Sequence, residues 1–208
     1  MPSSEIEAKP APVPARPAMR VVEVLAPDSW RTPRLNIRPM LLSDREQMIA
    51  LLSANRAYLS RGLNVQSESE SDAACFERLL SSSRAGEATG MCVRRVCTLP
   101  QGTIVGMVHL LGLEMGLTPH ADVGWWIAQP YAGNGLATEA VAALAEYGLT
   151  DRPKGMGLFH IEAAITTANT ASQRVAAATG FRKLDGVTTS IQVGETWMTH
   201  EIWRRDAQ

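Results

Sequence analysis

The stretch that most constrains this chain runs from residue 121 to residue 141, ADVGWWIAQPYAGNGLATEAV. Its first part, Ala121–Ala128, is apolar and aromatic, which suits a buried strand. Pro130 ends that strand, because proline cannot donate a hydrogen bond to a neighbouring strand. Beyond Gly133-Asn134-Gly135, apolar residues recur at helical spacing: Leu136, Ala140, Val141 and Leu144. The sequence therefore predicts a strand, a tight glycine turn and a helix.

A turn of this kind is suited to binding an anion. The first N–H groups of a helix have no partner inside it, and the helix dipole adds partial positive charge there. Glycines let an anion approach the backbone closely. A P-loop would need Lys after Gly135, and a dinucleotide-binding turn would need Gly or Ala at Thr138. A plain strand-to-helix turn remains the alternative reading.

Length and composition limit the classes of function. A chain of 208 residues predicts one domain, and a net charge of -1 offers no basic field for nucleic acid. No apolar run is long enough to cross a membrane, and no secretory leader opens the chain. Three cysteines without Cys-x-x-Cys spacing (Cys75, Cys92 and Cys97) favour a reduced, cytoplasmic protein without a metal site.

The rest of the chain supplies the other elements of an α/β domain. Residues 1–19 are rich in Pro and Ala, which predicts a disordered tail before a single domain over residues 20–208. Ser43 is predicted to cap a first helix, with Glu46 completing a capping box. Strands are predicted at 32–39, 91–98, 103–113, 121–128 and 158–166, from Phe181, and at 195–203, where the last strand closes the sheet. Further helices are predicted at 72–80 and from Asn169 to Gly180, and a loop at 81–90.

Two signatures resemble the GNAT N-acetyltransferases. Pro130–Gly135 is similar to their acyl-CoA loop, Arg/Gln-x-x-Gly-x-Gly/Ala, with Pro at the first place. Asn169-x-x-Ser172 followed by Gly180-Phe181 is similar to their second signature. Leu-Ala-Thr-Glu-Ala after the loop and the opening Thr-x-Arg-Leu-x-Ile-Arg-Pro resemble the RimJ/RimL-like branch. The resemblance spans about Trp30 to Arg204 and implies a GNAT fold: a mixed sheet of about six or seven strands, about four helices and a βαβ acyl-CoA-binding unit.

The resemblance also implies a set of site residues. Acetyl-CoA would be the co-substrate, held by backbone N–H groups on a splayed strand, by the glycine loop and by the second signature. The residues expected to contact it are Trp126, Ile127, Ala128, Gly133, Asn134, Gly135, Leu136, Ala137, Thr138, Asn169 and Ser172. Tyr58, Leu59 and Glu139 are candidate contacts of the acceptor, although Tyr58 and Leu59 fit the core equally well and Glu139 suits the helix dipole.

Catalysis needs a base for the amine and an acid for the leaving thiolate. Asp122 is the first candidate base by position, ahead of Glu114, His109 and His120. Many GNATs carry a Tyr acid seven residues after the signature Asn, but Ala176 stands there, so Ser172 is the substitute. Arg34 and Arg38 are expected to be solvated strand residues.

The function that the resemblance implies is acetyl transfer from acetyl-CoA to a primary amine, with a protein N-terminus as the favoured acceptor. A small-molecule amine or antibiotic is the alternative acceptor. Because the tyrosine acid is missing, an acyl-CoA-binding sensor or interaction module with little catalysis also stays open. A homodimer is one arrangement open to such a chain, whose sequence does not fix its oligomeric state.

Overall fold

The structure is a computed structural model that describes residues 29–61 and 65–208. The tail predicted for residues 1–19, and the proposed start of the domain at residue 20, lie outside this part of the chain. The described elements are β1 Trp30–Arg31, β2 Asn36–Arg38, α1 Arg45–Leu59, α2 Asp72–Ala88, β3 Cys92–Thr98, β4 Ile104–Glu114, β5 His120–Ile127, α3 Leu136–Leu149, β6 His160–Thr166, α4 Thr170–Ala178, β7 Arg182–Val193 and β8 Thr196–Asp206.

These strands form one mixed sheet in the order β1-β2-β3-β4-β5-β6-β8-β7. Neighbouring strands are antiparallel except β5 and β6, which are parallel and joined by α3. The predicted βαβ unit and the predicted β3–β4 hairpin are therefore confirmed. The sheet has eight strands rather than six or seven, and β7 lies at its edge, because β8 is inserted between β6 and β7.

Apolar clusters cover both faces of the sheet. One cluster includes the inward side of α3 and β5 residues such as Val123 and Trp125. The other packs α1 and α2 against the opposite face, where Trp126 lies. Alternation along β5 explains this division, because successive side chains of a strand point to opposite faces. The turn after β5 thus lies between the two helical layers.

The helix boundaries correct two predictions. Helix α2 continues to Ala88, through the loop predicted for residues 81–90, because this segment packs on β3. Ser83 is buried, and a Cβ on Gly86 would lie 2.3 Å from Sγ of Cys92. Ser43 does not cap α1: a short 3-10 turn, Leu42–Asp44, precedes that helix. The Asp44 carboxylate instead accepts the Leu41 N–H, 2.8 Å away.

Strands β5 and β6 separate soon after they meet. They pair only over three residue pairs, from His120–His160 to Asp122–Glu162. Beyond these pairs, β5 continues to Ile127 on β4 and β6 continues to Thr166 on β8, with no pairing between β5 and β6. The sheet therefore opens into a wedge between its two middle strands.

Candidate active site

A cavity of about 590 Å³ occupies the open end of this wedge. It is bounded by the end of α1, the second half of β5, the glycine turn, the start of α3 and helix α4. Eleven of the residues predicted for the site line it: Tyr58, Leu59, Trp126, Ile127, Gly133, Gly135, Leu136, Ala137, Thr138, Asn169 and Ser172. The two sequence signatures thus meet on one cavity, although about 35 residues separate them in the chain.

The glycine turn leaves backbone groups open to the cavity. Gly133 and Gly135 both have φ of +77°, a left-handed conformation that other residues rarely adopt. Gly135 is the N-cap of α3, and its helix has no side-chain cap. The first N–H groups of α3 can therefore donate to a ligand, and the helix dipole favours a negatively charged one.

Two residues predicted to bind coenzyme do not line the cavity. The Asn134 amide folds back on the turn, with Nδ2 3.3 Å from the carbonyl oxygens of Tyr131 and Ala132. The N–H of Ala128 donates to the Val105 carbonyl at 2.8 Å. That N–H is engaged in the sheet, so Ala128 does not supply the open amide that the sequence suggested.

Glu139 also points away from the cavity, so the predicted contact with the acceptor is replaced by a structural role. Its carboxylate accepts hydrogen bonds from the Thr32 hydroxyl, from the Arg34 N–H at 2.7 Å and from Arg34 Nε at 2.8 Å. Burial alone would raise the pKa of Glu139, but these hydrogen bonds outweigh burial and lower it. Arg34 is not merely solvated, because its Nη1 also donates to the Asn134 carbonyl at 2.7 Å.

Asp122, the first candidate base, lies outside the cavity. It belongs to the part of β5 that is still paired with β6, opposite Glu162. Loss of hydration beside the sheet raises its pKa, and the negative charge of Glu162 raises it further. The other candidates, Glu114, His109 and His120, do not line the cavity either. The structure therefore places none of the four candidate bases on the cavity wall.

The second signature fixes the start of α4. Oδ1 of Asn169 accepts the Ser172 N–H at 3.0 Å, which caps the helix, and both residues also line the cavity. The capping and ligand-contact interpretations are therefore compatible. Ala176, which stands at the position where many GNATs carry a Tyr acid, is buried.

A smaller chamber of about 50 Å³ extends from the cavity between β5 and β6. It shares Trp125, Thr166, Asn169 and Ser172 with the main cavity and reaches His200 on β8. Sequence reasoning missed His200, because its place beside β6 depends on the order of the strands. The cavity also contains Arg61 and Arg174, which no motif marked.

Another missed residue fixes the exit of β5. Asn55 on α1 is 2% exposed, and its Oδ1 accepts the Gln129 N–H at 2.8 Å. This bond joins α1 to the start of the turn that carries the glycines.

In the part of the chain that the structure describes, no group of three or more His, Cys, Asp or Glu could hold a metal ion. Nor does any described helix have the length and apolar character to cross a membrane.

Comparison with known proteins places this geometry in a family. Residues 34–182 match the family described as Acetyltransferase (GNAT) domain. The Probable N-acetyltransferase YjcK of Bacillus subtilis (strain 168) is 23% identical over 170 residues, which cover 80% of this chain and 90% of that protein.

Two solved structures share the fold. Mycobacterium smegmatis RimJ in complex with CoA-disulfide has a TM-score of 0.74 and 23% identity, covering 83% of this chain and 82% of its own. The ribosomal-protein-S5-alanine acetyltransferase from Vibrio fischeri has a TM-score of 0.75 and 19% identity, covering 86% of this chain and 97% of its own. At these identities the likeness concerns the fold.

The family match covers most of the chain and includes the wedge, the glycine turn and α4. The fold class and the membership of the GNAT family that the sequence indicated are confirmed, and the solved RimJ and ribosomal-protein-S5-alanine acetyltransferase structures share the fold. The chain therefore belongs to the GNAT acetyltransferase family and is an enzyme that transfers acyl groups.

Proposed function

We propose that this protein transfers the acetyl group of acetyl-CoA to a primary amine, and that its preferred acceptor is the α-amino group of a protein N-terminus. The observation that carries the proposal is the continuity of one cavity. It joins an uncapped helix N-terminus at Gly135, the end of β5 on the side that β6 leaves unpaired, and the polar side chains at the start of α4. A long ligand with an anionic group at one end fits a cavity in which these three parts follow one another.

The coenzyme would lie along the cavity with its pyrophosphate at the glycine turn. Backbone N–H groups between Gly133 and Thr138 would bind the phosphates, since they have no side-chain cap to compete with. The pantetheine arm would follow the gap between β5 and β6, beside Trp126 and Ile127. This pose brings the thioester toward Asn169 and Ser172, the polar side chains at the start of α4.

The reaction in this pose is attack by a neutral amine on the thioester carbonyl. The cavity would hold the two reactants together, which removes much of the entropic barrier. Open N–H groups on β5 would stabilise the developing oxyanion, and the Ser172 hydroxyl would donate a proton to the departing thiolate. An α-amino group has a usual pKa of about 7.7–8.0, so its neutral form is plentiful near neutral pH.

The acceptor would enter beside the end of α1, where Tyr58 and Leu59 line the cavity. The preference for a protein N-terminus is supported by the solved relative from Vibrio fischeri, whose described activity is on ribosomal protein S5 alanine. That relative is 19% identical, so the likeness supports the class of acceptor and not its sequence.

The test uses the full chain with acetyl-CoA and a panel of acceptors. The panel contains short peptides with free N-termini, the same peptides with blocked N-termini and one internal Lys, polyamines and aminoglycosides. Free CoA is measured with a thiol reagent and the products by mass. We expect the free N-terminal peptides to give the highest kcat/KM. Acetylation of small amines alone would refute the preferred acceptor, and coenzyme binding without CoA release would favour a sensor.

A further inference from the structure

His200 is placed at the inner end of the smaller chamber. It lies on β8 opposite Thr166 of β6, and its side chain is 5% exposed. Ser172 and Asn169 line both this chamber and the main cavity, so the chamber adjoins the end of the cavity where the proposed pose places the thioester. The chamber volume of about 50 Å³ exceeds the roughly 10–15 Å³ that one water molecule needs.

The hydrogen bonding of His200 fixes which ring nitrogen is basic. Its Nδ1 lies 2.9 Å from the Met198 carbonyl oxygen. A carbonyl oxygen only accepts, so Nδ1 carries the proton and Nε2 of the neutral ring carries the lone pair. Because Nδ1 is engaged with the Met198 carbonyl and His200 lines the chamber, Nε2 is the ring nitrogen left to accept a proton there.

The other residues around this space offer no equivalent base. Among the described residues, neither the cavity nor the chamber is lined by any Asp or Glu, and His200 is their one imidazole. The ionisable side chains that line the main cavity are Tyr58, Arg61, Tyr131 and Arg174, none of which is a carboxylate or an imidazole. None of the residues that share the small chamber with His200 is charged.

We propose that His200 is the general base of the acetyl transfer, an inference that rests on the proposed function. As the amine nitrogen forms its bond to the acetyl carbon, Nε2 takes the proton that this nitrogen loses. When the carbon–sulfur bond breaks, the Ser172 hydroxyl protonates the thiolate, and the imidazolium returns its proton to the Ser172 oxygen. The products are the amide, CoA with a neutral thiol, and the enzyme in its starting state.

The central test is His200→Asn, because the Asn amide can still donate to the Met198 carbonyl while the basic nitrogen is lost. We expect kcat to fall by about 100-fold or more, the usual scale for loss of a general base. The KM for acetyl-CoA should change by less than about threefold, since coenzyme contacts remain. The rise of kcat/KM with pH that reports the enzyme's base should disappear, and imidazole should partly restore turnover of His200→Ala.

The matched control is His160→Asn, at a half-buried histidine on β6 outside both spaces. It should keep wild-type kcat and gain no rate from imidazole. Full activity of His200→Asn would overturn the proposal. A loss of kcat with an unchanged pH profile of kcat/KM and no rescue of His200→Ala by imidazole would also overturn it, because His200 would then have only a structural role. A wild-type protein that releases no CoA with any acceptor would refute the proposed function and this assignment together.

Discussion

Nε of Arg34 lies 2.8 Å from Oε2 of Glu139, which joins the turn before β2 to the first turns of α3. The same guanidinium donates to the Asn134 carbonyl, so it touches the glycine turn and the helix that follows it. The pair thus holds the anion-binding end of the cavity in place from outside, without lining the cavity itself.

Replacing Arg34 with Ala should weaken acetyl-CoA binding by about fivefold, roughly 1 kcal/mol, because the exposed ion pair itself contributes little. The coupling with Glu139→Gln in a double-mutant cycle should be about 0.5 kcal/mol. Isothermal titration gives both values. Arg45→Ala is the control, since Arg45 is a similarly exposed arginine paired with Glu77 far from the turn. Equal affinities of Arg34→Ala and Arg45→Ala would contradict this role.

Gly135→Asp should raise the Kd for acetyl-CoA by at least about tenfold, since two negative charges about 4 Å apart near a surface cost about 1–4 kcal/mol. The matched control is Gly186→Asp. Gly186 has φ of +72°, close to the +77° of Gly135, and a Cβ there meets nothing within 4 Å. Both variants carry a similar backbone strain, and a Cβ at Gly135 also lies 3.3 Å from Nη2 of Arg34, so the difference between their affinities reports the anion site together with this contact. Unchanged affinity for Gly135→Asp would refute the assignment of the turn.

Gly106→Ala should displace the end of β5 from the side of β4. A Cβ at this position would lie 2.1 Å from the Trp126 carbonyl oxygen and 2.9 Å from Cα of Ile127. Both are backbone atoms, so β5 must move, and we expect a loss of about 1–3 kcal/mol in unfolding free energy. Turnover should fall as well, because Ile127 lines the cavity. Urea unfolding and kcat check this against Gly116→Ala, where a Cβ meets nothing within 4 Å.

Ser172→Ala should lower kcat by about 10- to 100-fold, as expected for loss of a proton donor. The helix start should survive, because Asn169 accepts the backbone N–H of Ser172 and not its hydroxyl. The KM for acetyl-CoA should therefore change little. Ser190→Ala, on the exposed face of β7, serves as the control. Equal losses in kcat and in coenzyme affinity would indicate that Ser172 contacts the coenzyme and does not act as a proton donor.

His109 should make the fold sensitive to acid. Burial and, to a lesser degree, the positive charge of Arg94 together lower the pKa of His109 from 6.5 to about 4. The unfolded chain therefore takes up this proton first, so stability is complete above pH 6.5 and falls as the pH drops toward 4. The loss of unfolding free energy that protonation of His109 causes is at most about 3 kcal/mol. Urea unfolding at several pH values should show a flatter profile for His109→Gln, and an unchanged profile would contradict the assignment.

Local patterns were enough to predict the strand, turn and helix around Gly133 and the cap at Asn169. Each depends on consecutive residues whose conformational preferences agree with the final fold. The polar run at residues 81–83 misled the prediction, because Ser83 is buried against β3 and the helix continues through it. Packing against a distant strand outweighed the local preference of serine.

The side chains near the cavity were harder to predict, because their positions depend on how strands pair. Asp122 is four residues from Trp126, but a strand rises about 3.3 Å per residue, which places Asp122 about 13 Å away along β5. His200 follows Trp126 by 74 residues and still lines the chamber that adjoins the cavity, because β8 lies next to β6. Separation in sequence was therefore a poor guide to which residues lie near the cavity.

Helix α3 packs on side chains of both β4 and β6, across the line where β5 and β6 separate. Gly148 is the contact point: a Cβ there would lie 2.7 Å from Cδ1 of Ile161 on β6 and 3.3 Å from Cδ1 of Leu110 on β4. One added methyl group there must displace these two side-chain ends or move α3 away from the sheet. The packing distance between the sheet and α3, the helix that follows the glycine turn, is thus limited by a residue that does not line the cavity.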